Sequence, residues 1–138
     1  METIDIIVTV MAVVASLTKL IDVVTTIKGA KKFTRFMGMK ATISIEKNPI
    51  GRYLFRKFGV AAGNWITFAI VVIVCAGIAW DAIVDGTLAY KVVAIVVFGV
   101  LTYGHISAGI YNTTGRQTLI VKTALKIYGW IGRIFREK

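Results

Sequence analysis

From Val60 to Trp80 the chain carries no ionisable side chain other than the thiol of Cys75. A helix of about 20 apolar residues crosses about 30 Å of hydrocarbon, and an uncharged run of that length reads as a membrane span. A second run, Val92 to Tyr111, is interrupted only by His105. A third begins earlier: Ile6 to Thr18 is uncharged, and extension to Ile27 takes in Lys19 and Asp22. Those two stand three residues apart, share a helix face and can pair. Composition agrees, because 57% of the 138 residues are apolar and only 17% are charged. A soluble globule this small cannot hide so much apolar surface, and a disordered chain would lack it. The expected fold is therefore all-α, one integral membrane domain over 1–138 with three transmembrane helices at about 5–27, 61–81 and 90–112. The acidic start, Glu2 and Asp5, reads against a secretory leader, which opens on basic residues.

Basic residues are retained on the cytoplasmic side of a membrane. Nine lie between Lys28 and Lys57 and six between Arg116 and Lys138, fifteen of the seventeen in the chain. The other side holds Glu2, Asp5, Asp81 and Asp85, with Lys91 at its edge. The sequence thus predicts an outside N-terminus, an inside C-terminus and a multi-pass place in the cell (inner) membrane. The net charge of +10 is explained by anionic headgroups as partners, each cation near them gaining about 1 kcal/mol. No phosphate loop, zinc-ligand spacing or aromatic-rich RNA motif accompanies it, so neither nucleic acid, a metal nor a cofactor is expected. Cys75, alone and mid-span, reads as a small packing residue.

Two stretches on the basic side are amphipathic. Over 118–138, Lys122, Lys126, Arg133 and Arg136 fall in one stripe, with Ile120, Ala124, Ile127, Ile131, Ile134 and Phe135 opposite. Such a helix lies in the headgroup plane, a depth that also suits Trp130. The 28–59 segment reads as a basic cytoplasmic loop in which Phe33, Phe36, Met37 and Met39 interleave with cations. Asn48-Pro49 is a helix-start signal, with Asn capping free amides and Pro at the first helical position. Ile50, Tyr53, Leu54 and Phe58 are then expected on one face of a short helix that reaches Gly59.

Polar groups inside spans are costly, and each is a candidate for function. Asp22 and Thr26 near the end of the first span, Glu46 and Asn48 at the next helix start, and Asn112 closing the third span all fall at one depth. On the third span Lys91, Thr102, His105 and Gly109 share a stripe with Asn112. Small and polar residues in such a stripe serve helix packing more often than a water-lined path. Lys91 stands 21 residues, about 30 Å, from Asn112, so either it has a role apart from the first group or the three-span topology is wrong. A lone histidine without cysteine or histidine neighbours makes a poor transition-metal site, and no serine–histidine–acid set can be assembled.

Asp22-Val23-Val24-Thr25-Thr26 followed by Glu46-Lys47-Asn48-Pro49 resembles a family of small prokaryotic polytopic membrane proteins marked by D-x-x-x-T and E-x-N-P. The family has no established activity, so the resemblance implies shared architecture and a shared polar cluster rather than a reaction. Small size, three spans and a basic inside tail also bear a weaker likeness to phage holins. Three functional classes follow. The first is a non-enzymatic membrane module acting through lipid, a homo-oligomer or a membrane-protein partner. The second is a holin-like oligomeric pore, and the third is ion or proton transport or lipid-directed chemistry at Asp22, Glu46 and His105.

Overall fold

A computed structural model describes residues 2–44, 46, 48–84, 86–116 and 118–134. Five helices follow one another: α1 (Thr3–Ser44), α2 (Pro49–Phe58), α3 (Val60–Val84), α4 (Leu88–Thr114) and α5 (Leu119–Ile134). Among the described residues there is no strand. Three of the helices, α1, α3 and α4, are long and apolar enough to cross a membrane.

α1 and α4 run parallel. Side-chain contacts at both ends of α4 tie it to the N-terminal helix and the residue before it, each joining residues 86 to 90 positions apart in sequence. α3 runs the other way and packs mainly on α1. The shared core is built from Val8, Ala12, Ala15, Cys75, Ala79, Ala82, Ala94 and Phe98. Alanines on all three helices let the backbones approach, and Phe98, fully buried, fills the space between them. Most bulky apolar side chains point outward instead: Ile73 is 70% exposed and Trp80 72%. An apolar surface this extensive suits hydrocarbon and not water.

α1 departs from the sequence reading. Its helix does not end near Ile27 but continues through Lys28–Met37, so most of the expected basic loop is helical. Charged side chains end a membrane span without ending a helix. This stretch has no proline, and its one glycine, Gly29, sits against the Asn112 carbonyl, which an added Cβ would meet at 3.7 Å. The break comes at Gly38, whose φ of 83° and ψ of 164° are open to glycine but strained for other residues. Beyond it the chain doubles back, and the Thr34 and Thr42 hydroxyls meet at 2.7 Å. Gly59, between α2 and α3, has nearly the same dihedrals, φ 80° and ψ 164°. The 39–58 segment is thus hung between two glycine joints of one geometry.

α2 begins as its sequence specifies, with Pro49 at the first position and Asn48 capping. Its buried face is a correction, since Gly51, Leu54 and Phe55 turn inward while Ile50, Tyr53 and Phe58 stay exposed. Gly63 of α3 explains the choice. An added Cβ there would lie 2.7 Å from the Phe55 ring and 3.1 Å from the Leu54 backbone, so only glycine admits α2 this close.

Candidate functional site

At the end of the bundle where α1 passes Asn112, four side chains form one bridge. Lys19 Nζ and Asp22 Oδ2 pair at 2.6 Å, each side chain 12% exposed. The other carboxylate oxygen, Asp22 Oδ1, accepts from Thr26 Oγ1 at 3.3 Å and from Asn112 Nδ2 at 3.3 Å. Asn112 Nδ2 also donates to Thr26 Oγ1 at 2.7 Å. One turn of helix brings Asp22 to Thr26, and α4 supplies the amide that locks them to a second helix. Both carboxylate oxygens are satisfied, as a buried charge requires.

Glu46 and Asn48 form a separate unit. Asn48 Oδ1 accepts from the amides of Ile50 at 3.0 Å and Gly51 at 3.4 Å. Glu46 Oε1 accepts from the Asn48 amide at 2.8 Å, and Arg52 Nε donates to the Glu46 carbonyl at 2.8 Å. No hydrogen bond among the described residues links this cap to Asp22 or Asn112, so the expected five-residue cluster divides into a bridge and a cap. The two are still in electrostatic reach. Burial pushes the Glu46 carboxyl above its ordinary range; the Asn48 N–H opposes this and the charge of Asp22 adds to it. Burial, with the charges of Glu46 and Asp22, also raises the Tyr128 phenol. α5 therefore brings its tyrosine toward the same end of the bundle.

The α4 stripe faces α1. At its far end Lys91 Nζ pairs with Asp5 Oδ1 at 2.6 Å and with Glu2 Oε2 at 3.3 Å. The Lys91 and Asp5 side chains are 10% and 8% exposed, whereas Glu2 is largely in the open at 77%. Asp5 Oδ2 also accepts from the Glu2 amide at 2.9 Å. Gly109 lets α1 close in, and an added Cβ would stand 3.5 Å from Ile21 and 3.8 Å from Thr25. Between these points, Thr102 Oγ1 and His105 Nε2 are buried with no hydrogen-bond partner among the described residues. Sequence reasoning separated Lys91 from the Asp22 group but did not find its partners. The available signal was that Glu2, Asp5 and Lys91 all open parallel spans at one end.

On α5, Lys122, Lys126 and Trp130 are exposed and Val121 is buried. Ile120 reaches Gly104, where an added Cβ would lie 4.0 Å from it, so the start of α5 folds against α4. Arg136 and the side chain of Arg133 lie outside the described residues. Among the described residues no three His, Cys, Asp or Glu come together as metal ligands. An open groove of about 240 Å³ on the α1–α4 seam is lined by Ile21, Thr25, Ile106, Gly109, Ile110 and Thr113. Its walls are almost wholly apolar. Comparison with protein-family models, with characterised proteins and with solved structures yields no match.

Proposed function

We propose that this chain is a non-enzymatic, multi-pass membrane module that acts through lipid or a protein partner at its basic end. In this reading α1, α3 and α4 cross the cell (inner) membrane with the N-terminus outside and the C-terminus inside. The observation that carries it is the state of the charges along α1 and α4. Asp5 is paired with Lys91, and Lys19 with Asp22. A charge left unpaired within a span is costly, so intramembrane charges pair with one another or with backbone carbonyls. Lys91–Asp5 joins α4 to α1 directly, and Asp22, neutralised by Lys19 within α1, reaches α4 through Asn112 at a point about 25 Å away, the rise from Asp5 to Asp22. The D-x-x-x-T and E-x-N-P residues have structural jobs of the same kind, a helix bridge and a helix cap. That supports taking the family resemblance as one of architecture. The test is to replace Asp22 and Glu46 and follow folded yield and thermal stability in detergent beside a growth phenotype. Parallel loss of yield and stability supports the module; loss of phenotype at full stability contradicts it.

Proton or ion movement is the second reading, favoured by one observation: His105 Nε2, within α4, is buried without a hydrogen-bond partner among the described residues. Flux into proteoliposomes that falls when Asp22, Glu46 and His105 are neutralised supports it, and unchanged flux disposes of it.

A further inference from the structure

We infer that α2 is a headgroup-binding paddle that seats on an anionic leaflet through Arg56 and Lys57. The inference rests on the reading that the three long helices cross a bilayer. α2 has two apolar faces and only one is used inside the protein: Gly51, Leu54 and Phe55 pack toward α3, while Ile50 is 64% exposed, Tyr53 59% and Phe58 46%. The unused face is charged in one sense only, since Pro49–Phe58 contains three cations and no carboxylate. Arg52 is engaged with the Glu46 carbonyl. Arg56 and Lys57 are exposed and in no ion pair among the described residues. Lys57 Nζ stands over two rings, 5.9 Å from the Tyr53 centroid and 5.3 Å from that of Phe58. An ammonium held against exposed aromatic faces is placed to meet a phosphate while the rings enter the interfacial layer.

Two further observations favour a lipid surface over a protein groove. α2 leads through Gly59 directly into α3, so its exposed face borders the apolar surface of a candidate span. The neighbouring elements at this end repeat the pattern. Phe36, Met37 and Met39 are exposed beside Lys40, and Trp130 is exposed on α5 with Lys122 and Lys126. The turn at Gly59 leaves α2 packed on α3 through Leu54 and Phe55, with Ile50 and Tyr53 facing outward.

The test uses the full chain in nanodiscs of phosphatidylcholine, alone or with about a third phosphatidylglycerol. An environment-sensitive fluorophore is placed by Ile50→Cys in a Cys75→Ala background, with Cys75→Val as the substitute if alanine weakens the core. Headgroup-region spin-labelled lipid should quench the probe in the anionic discs, less in neutral ones, and less again in high salt. R56Q and K57Q should each lower the docked-to-undocked ratio about fivefold, the ratio that about 1 kcal/mol per cation gives. A probe equally buried in both discs, or equally water-exposed in both, overturns the proposal; the second result points to solvent or a protein partner. The same fluorophore at Ile73→Cys reports separately on α3. If it escapes quenchers set deep in the acyl chains, the bilayer reading has failed and not the paddle alone.

Discussion

Asn112 and Asp22, ninety positions apart in sequence, meet at 3.3 Å across the α1–α4 seam. With the Asn112–Thr26 hydrogen bond beside it, the contact fixes the register of two parallel helices next to Gly109, which lets Ile21 and Thr25 close in. Asn112→Ala is expected to lower stability by about 0.6–1.7 kcal/mol, the range for interhelical hydrogen bonds in membranes. Asp22→Ala should cost more, about 3 kcal/mol, because it leaves Lys19 charged and largely buried. Reversible unfolding in mixed micelles measures both, and equal losses would show that Lys19 finds another partner.

The Lys91–Asp5 pair makes the same argument at the other end. Lys91→Met alone strands the Asp5 carboxylate without its partner and should lower stability. Adding Asp5→Leu should restore most of it, since replacing both partners of a buried pair by apolar groups is close to neutral. Glu2→Gln should change little, because that side chain is 77% exposed. A double variant no better than the single would mean that the pair is not what joins the helices here.

How much of this could be read from the residues follows from the range of each interaction. The uncharged runs locate α3 and α4, and the i,i+3 spacing gives the Lys19–Asp22 pair, because both are local. The Asn48-Pro49 cap is local as well. The Lys91–Asp5 pair was hidden because it depends on which spans lie side by side. Helical periodicity correctly marked α2 as amphipathic but could not choose its buried face. That choice is made by Gly63, which stands outside α2 and admits Leu54 and Phe55. The length of α1 was missed for a different reason. The cations from Lys28 onward mark the end of the span, and nothing in that rule says where the helix itself stops.

Gly63 and Gly77 lie on the same helix and should answer to substitution in opposite directions. Gly63→Ala forces its Cβ to 2.7 Å from Phe55 and should cost about 1–3 kcal/mol by overpacking. Gly77→Ala meets nothing within 4 Å and should be neutral or stabilising by up to about 1 kcal/mol. Thermal melts of the two variants decide the matter, and equal effects would contradict the packing of α2 on α3.

Glu46 gives the chain a pH dependence whose sign can be stated. Burial raises its folded pKa above the unfolded value. Its contribution to stability is therefore complete below the unfolded carboxylate pKa, about 4.3, and is lost as pH rises through the folded value. Glu46→Gln keeps an acceptor for the Asn48 amide and removes the titration. The variant should gain on the native chain as pH rises above the unfolded carboxylate pKa and be the more stable once Glu46 is ionised. A difference in melting temperature that does not vary with pH would mean that Glu46 titrates normally.

The central claim is that α1, α3 and α4 thread a bilayer with the basic segments on the cytoplasmic side. The most direct measurement is labelling of single cysteines by an impermeant maleimide in intact and in lysed cells, in the Cys75→Ala chain. Leu88→Cys, exposed at the start of α4, should react in intact cells. Lys40→Cys and Lys122→Cys should react only after lysis. The reverse pattern would invert the orientation, and labelling of all three in intact cells would contradict a bilayer-spanning bundle.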